Sequence, residues 1–340
     1  MRSDPVLLNG QLYIGNDDGG VYSLNETTGA RLWRFETGGP VYAGPTLSAA
    51  GDVLFIGTVN GSEFALRATD GHELWRYSTG SPIGSTATLA QDGRFLYFGA
   101  YDASLYAVVA STGALVWRTQ LGGAVGSESR LTPDGTLLIV GSHDGSVYAL
   151  NTADGTVEWT YRTGAQVQSD QILSVDGATV FIGSDDHHVY ALDVASGKPA
   201  WNFSCGAEAQ SGLTLSVDGS ALYFGSFDSN IYSVWTHNGS LIWRFPTGDK
   251  VGSRPALSPD GAVLYMGSFD GSLYALTSHS GQEIWRYPTG SAVHSDPVLS
   301  EDGGILFFGS FDHDVYALLT HLNGSRSASR RLSGLDDAAG

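Results

Sequence analysis

Seven tryptophans, Trp33, Trp75, Trp117, Trp159, Trp201, Trp243 and Trp285, stand 42 residues apart. A fixed period of this length is the signature of a repeat architecture, in which one supersecondary unit is copied and stacked. Two further columns keep the same interval. Glycine recurs at Gly15, Gly57, Gly99, Gly141, Gly183, Gly225, Gly267 and Gly309, and an aromatic ring at Tyr22, Phe64, Tyr106, Tyr148, Tyr190, Tyr232, Tyr274 and Tyr316. The chain therefore holds eight copies, with no room for an insertion in the middle six.

Each copy reads as four short strands, A to D. In the seventh these are expected at 254–257, 263–267, 272–276 and 282–287, separated by turns at Ser258-Pro259-Asp260-Gly261, Phe269-Asp270-Gly271 and residues 278–281. Asp-Gly and Asn-Gly pairs supply the positive φ that tight hairpins need. Short strands at a spacing of about ten residues describe a meander rather than βαβ units. Radial closure of such four-stranded units leaves only short, protected edges. The expectation is an all-β chain, an eight-bladed β-propeller of four-stranded antiparallel blades. It spans residues 1–322 as a single domain with an incomplete eighth blade, followed by a disordered tail at 323–340. The seven tryptophans lie on the outer strand, where a large ring fills the gap between adjacent sheets. Each is expected to dock there as core, contributing about 2–3 kcal/mol by area.

The eighth copy departs from the pattern after strand C. By the period, Ser327 stands where the eighth Trp belongs and Asn323 where the turn Gly belongs. Only Met1 and Arg2 precede the first strand A, so no outer strand is available to lend. Either blade eight has a weak fourth strand at 325–331, or a strand, and with it an export leader, is missing upstream. The compartment stays open on this reading.

The net charge of −18 argues against nucleic acid, which is bound through Lys and Arg. It equally disfavours anionic membrane surfaces. No apolar run approaches the roughly 20 residues that span a bilayer. Cys205 is the only cysteine, which excludes an internal disulfide and a Cys-based zinc site. A monomer is expected.

Residues 148–159, Tyr-Ala-Leu-Asn-Thr-Ala-Asp-Gly-Thr-Val-Glu-Trp, and 268–276, Ser-Phe-Asp-Gly-Ser-Leu-Tyr-Ala-Leu, carry a recognisable form. They resemble the tryptophan-docking repeat of the pyrroloquinoline-quinone-like propeller superfamily, and the resemblance covers residues 3–322. That superfamily contains quinoprotein dehydrogenases and non-catalytic binding propellers, among them an outer-membrane assembly lipoprotein. For a dehydrogenase the resemblance implies a quinone held over calcium, an Asp base, commonly a vicinal Cys pair, and long insertions around the cofactor. This chain has one cysteine and no insertions. Its aspartates recur instead as turn residues: Asp92, Asp134, Asp176, Asp218, Asp260 and Asp302 in the A–B turns, and Asp18, Asp102, Asp144, Asp186, Asp228, Asp270 and Asp312 in the B–C turns. No cofactor is expected, with pyrroloquinoline quinone and calcium as the alternative. His143, His187 and His313 fall in B–C turns of different blades, and His237 and His279 in C–D turns of the other face, so they read as solvated turn residues rather than metal ligands.

A meander puts the D–A connections and B–C turns on one face. The start of strand A there carries a nearly uniform serine column, Ser85, Ser127, Ser169, Ser211, Ser253 and Ser295, joined by Ser3. Its flanking columns vary, and variation among copies is where an asymmetric site can arise. Gln168, Gln210 and His294 lie on one side, and Glu128, Asp170, Arg254 and Asp296 on the other, with Thr86 and Gly212. These residues are expected to line a polar, net-negative funnel at the channel mouth. The functional expectation is a non-catalytic binding or scaffolding propeller that presents this funnel or a face to a protein partner or small polar ligand. The alternatives are a quinone-dependent oxidoreductase domain or a propeller module of a larger enzyme. Arg34, Arg76, Arg118, Arg244 and Arg286, each following a Trp, suggest a cationic rim between acidic faces.

Overall fold

The computed structural model describes residues 3–320 and 329–331. It contains eight four-stranded antiparallel sheets, each a meander of consecutive strands. Blade seven is Ala256–Leu257, Val263–Gly267, Ser272–Thr277 and Glu283–Pro288. Strand A is shorter than its sequence pattern implies: it is two residues long both here, after Pro255, and in blades with no proline at that position, such as Thr88–Leu89 after Ala87. Nearer the axis a hydroxyl takes over. Ser253 donates to the Gly267 carbonyl (3.2 Å) and accepts the Gly267 N–H (2.8 Å). Ser169 and Ser295 hold Gly183 and Gly309 in the same way. Glycine is needed at the end of strand B because the next blade presses on it: a Cβ on Gly267 would lie 2.5 Å from Cγ1 of Val293.

The sheets form a ring. Eight apolar clusters each draw on two adjacent blades, and one of them joins the ends of the chain. In it Leu12, Ile14, Tyr22 and Leu24 of blade one pack against Phe307 and Val315 of blade eight. Eight sheets with eight shared cores close on themselves, giving an eight-bladed, all-β propeller. No helix among the described residues is long and apolar enough to cross a membrane.

The tryptophans knit each blade to the next. The Trp243 indole donates to the Ser278 carbonyl of blade seven (2.8 Å), and Trp33, Trp75, Trp117, Trp159 and Trp201 make the equivalent bond. The neighbouring C–D turn lies flat on the ring at Gly281, whose φ of +68° and Cβ direction, 2.6 Å from the indole, admit no side chain. A β-bulge precedes each of the seven tryptophans: Ala275 pairs with Trp285 but Leu276 with Glu283, leaving Ile284 as the extra residue. Bulges sharpen strand twist, and this one turns the outer strand so that its Trp faces the next blade.

Among the described residues, every blade is a sheet of consecutive strands. Blade one has its own four strands, Val6–Leu8, Gln11–Gly15, Gly20–Asn25 and Arg31–Glu36, and blade eight takes Ser329–Arg331 as its fourth. That strand lies inside the segment expected as a tail, the rest of which is outside the described residues. Ala317 pairs with Arg330. The register thus puts Arg330, not Ser327, in the tryptophan column, because the last C–D connection is three residues longer than the repeat. Ser327 itself and Asn323 are outside the described residues, as is His321.

Candidate functional site

The face that carries the D–A connections is built from B–C turns stitched by one aspartate each. Asp186 accepts the His188 N–H (3.1 Å), the Tyr190 hydroxyl (2.7 Å) and the Gly164 N–H of the preceding D–A connection (2.6 Å). The other B–C aspartates hold their blade's tyrosine likewise, at 2.5–2.7 Å from Asp102 to Asp312, and Asp18 holds Tyr22. Burial, and then the carboxylate beside it, raises the Tyr106 phenol to about 12, so the ring remains a donor. Blade two replaces both partners together, with Asn60 and Phe64. These aspartates are committed to turn geometry.

Four of the five outer arginines, Arg34, Arg76, Arg118 and Arg286, are paired within their own blades. Arg118 reaches Asp102 (2.9 Å) with its guanidinium 5.4 Å from the Tyr106 centroid, and Arg76 is paired with Glu73 (2.8 Å). Those four do not make a free cationic rim. His187 and His313 occupy exposed left-handed turn positions, at φ 73° and 74°. Among the described residues no three His, Cys, Asp or Glu side chains converge as a metal site. Cys205 is buried, which pushes its thiol up to about 12.

At the axis the structure gathers all seven residues singled out in the sequence. Glu128, Gln168, Asp170, Gln210, His294 and Asp296 line a cavity of about 220 Å³ at the mouth. Arg254 lines a second, of about 610 Å³, that opens below it and shares Asp4, Thr86, Glu128, Asp170 and Asp296 with the first. Arg254 is the bolt between the two. From blade seven its Nη2 crosses the channel to Glu128 of blade four (3.0 Å) and Asp170 of blade five (2.8 Å), while Nε lies 3.6 Å from Asp296. Gly212 makes room for it, since a Cβ there would sit 2.6 Å from Nε.

Backbone N–H groups lock the ring from copy to copy. Glu128 N–H donates to Asp170 (2.7 Å), Arg254 N–H to Asp296 (2.5 Å), Asp296 N–H to Asp4 (2.8 Å) and Gly44 N–H to Thr86 (2.9 Å). Asp4 follows Ser3 as Asp296 follows Ser295, and so belongs to the same flanking column, although the sequence reading did not name it. Burial, with Asp296 beside it, pushes the Asp4 carboxyl well above its ordinary range. Burial also raises Asp296 to about 6, against the pull of Arg254. Burial opposes the Arg254 charge, but Asp170, Asp296 and Glu128 outweigh it and raise its pKa.

Above this acidic floor stands an aromatic crescent that the sequence reading did not single out. Phe269 lies 6.0 Å from Phe227, 6.2 Å from Phe311 and 5.4 Å from His294, which stacks on Phe311 at 5.8 Å. Lys250 caps the Phe227 ring at 4.6 Å. On the opposite rim Tyr101 meets His143 (5.6 Å), where burial lowers the histidine's pKa. The B–C turn position before each turn aspartate was the available signal: it reads Phe227, Phe269 and Phe311 in three of the last copies.

Pyrroloquinoline quinone does not fit this funnel. It is a tricarboxylate, and the floor already opposes four carboxylates with Arg254 and with Arg130, 3.5 Å from Glu128. The oxygens that would face a calcium ion are turned onto Arg254 and backbone N–H groups.

Fold and mouth together define an eight-bladed propeller of the pyrroloquinoline-quinone-like repeat class. The chain belongs to the family whose model is described as outer membrane protein assembly factor BamB, which matches residues 1–92, 65–236 and 227–327. Its structure is similar to the crystal structure of BamB from Moraxella catarrhalis, at 19% identity and TM-score 0.78, over 93% of this chain and 96% of that one. It is also similar to the computationally designed Ika8 protein, at 16% identity and TM-score 0.80, over 94% and 97% of the two chains. No curated protein matches the sequence.

Proposed function

We propose that this chain is a non-catalytic binding propeller whose mouth takes up a cationic group carried by a protein segment or a small polar ligand. The observation that carries the reading is the break in eightfold repetition at the axis. Turns and seams repeat almost unchanged, while the mouth combines an acidic floor on Glu128, Asp170, Asp296 and Asp4 with an aromatic crescent on Phe227, Phe269 and Phe311. Arg254 and Arg130 still leave the floor with more carboxylates than guanidiniums, so a further cation is attracted. The aromatic rim gives its apolar stem a surface to pack on. Kinship with an assembly factor supports an interaction role. The reading requires no quinone and no metal.

A labelled octapeptide of lysine and phenylalanine tests the mouth directly. Its binding should weaken at least about tenfold in an Asp170→Asn, Phe269→Ala variant and with rising salt. Unchanged binding in that variant would refute the site. Dye reduction by the protein supplied with pyrroloquinoline quinone, calcium and an alcohol or sugar would refute the non-catalytic reading.

A further inference from the structure

The eighth tryptophan in the chain, Trp235, is out of step with the repeat. It ends strand C of blade six, Asn230–Trp235, where the other copies carry Asn25, Arg67, Val109, Asn151, Asp193, Thr277 and Leu319. It fills no seam. Its side chain is 40% exposed, whereas the docking Trp243 of the same blade is only 8% exposed. Two residues earlier, on the same side of the strand, Ser233 replaces the alanine found in six other copies at this position. Ser233 is fully buried, and its hydroxyl has no hydrogen-bond partner among the described residues. The only other serine of that column, Ser23, is satisfied by Gln11 at 2.9 Å.

These two departures meet in one groove. On the face opposite the funnel, between blades six and seven, a cavity of about 440 Å³ is lined by Ser233, Trp235, Ile242, Asp218, Asp260 and His279, among others. An internal comparison shows what is special about it. The matching seam of blades four and five has a cavity of about 380 Å³ with Asp134 and Asp176 at the same places. There, however, Ala149, Asn151 and Ala195 stand in place of Ser233, Trp235 and His279, and Leu137 fills the space that Ala221 leaves open. The turn scaffold and its two aspartates are therefore generic, whereas the indole wall over an unpartnered serine is found in this copy alone among the described residues.

The additions define the occupant's chemistry. Asp218 and Asp260 are held ionised by the Ser216 and Ser258 hydroxyls and by turn N–H groups, which lower both carboxyls, Asp218 to about 2. No Lys or Arg is among the residues lining the groove. An exposed indole beside two carboxylates attracts a flat, delocalised cation, which stacks on the ring and donates in its own plane to the acids. The apolar wall at Ile242 and Val217, the latter 71% exposed, accepts a methylene stem.

We propose that this groove is an arginine-binding site, an anchor for a basic segment of a protein partner on the face away from the funnel. It stands independently of the mouth and of what the mouth binds.

The test uses the whole chain and the peptide acetyl-Gly-Arg-Gly-amide, followed by indole fluorescence and by calorimetry. Saturable binding is expected, at least about fivefold weaker for the citrulline peptide and for Trp235→Thr. Trp235→Thr installs the residue of the seventh copy, so an unchanged thermal midpoint separates lost binding from lost fold. Asp218→Asn should weaken binding by a similar factor, and the Asp170→Asn, Phe269→Ala mouth variant should leave it intact. Equal binding of arginine and citrulline peptides, full affinity in Trp235→Thr, or no saturable binding would overturn the proposal. So would a neutral oligosaccharide that binds the groove in place of the peptide.

Discussion

Glu63 sits in strand C of blade two, in a column that otherwise reads Val21, Leu105, Val147, Val189, Ile231, Leu273 and Val315. It is fully buried, and neither carboxyl oxygen has a partner among the described residues. The same blade lacks the axial serine, with Ala43 in its place, and Oε2 of Glu63 lies 3.0 Å from the Cβ direction of Gly57. The acid thus occupies space beside the one strand-B glycine that no serine hydroxyl ties down. Burial alone pushes its carboxyl well above the ordinary range, so the folded chain holds it protonated. A raised acid favours the folded state fully below its unfolded value, near pH 4.5, and that advantage is lost as pH climbs through the folded value. Glu63→Leu should therefore stabilise the protein by about 2 kcal/mol at pH 8, with a smaller gain near pH 4.5. Urea unfolding at the two pH values checks this, and an equal or negative effect at both would show that the buried acid is harmless.

At the scale of strands and blades, the repeating element is a sheet plus the tryptophan it lends to the next. Trp117 is 8% exposed, tilts against Tyr97 at 5.8 Å and bonds to the Thr152 carbonyl across the seam. Trp117→Ala should cost roughly 3–5 kcal/mol, whereas Val116→Ala, on the outward edge at 42% exposure, should be nearly neutral. Thermal unfolding distinguishes the two. Elements of this kind were legible in the sequence because their side chains recur seven or eight times at a fixed interval: the turns, the strand order and the Trp column follow from periodicity. Exceptions to the period were harder to place. Strand A looked four residues long, since a pattern does not show that a serine hydroxyl replaces the ladder. Asp4 was legible as the residue after Ser3 but was not named. The reach of Arg254 to Glu128, across three blades and 126 residues of chain, leaves no local trace. Trp235 was visible as an eighth tryptophan out of register, but only the seam geometry gives that a meaning.

For the whole molecule, the ring stops repeating at its axis. Arg254 links blades four, five, seven and eight across the channel, and Asp296 with Asp4 carries the link over the seam between the last blade and the first. Arg254→Met removes the counter-charge and leaves three carboxylates facing one another, at a cost of about 3 kcal/mol at pH 8. The sign follows from the acids. With Asp296 already raised to about 6, loss of Arg254 raises it further, so protonation relieves the repulsion as pH falls. The variant should approach wild-type stability near pH 5, and a deficit that does not depend on pH would contradict the electrostatic account of the bolt.

The central claim is that the acidic, aromatic mouth is the binding surface of this propeller. Hydrogen–deuterium exchange with and without the lysine–phenylalanine octapeptide, in the Trp235→Thr variant so that the opposite groove is silent, measures this most directly. The account predicts added protection confined to the D–A connections and to the B–C turns around Phe227, Phe269 and Phe311. Protection spread evenly over all eight blades, or confined to the A–B and C–D face, would contradict it.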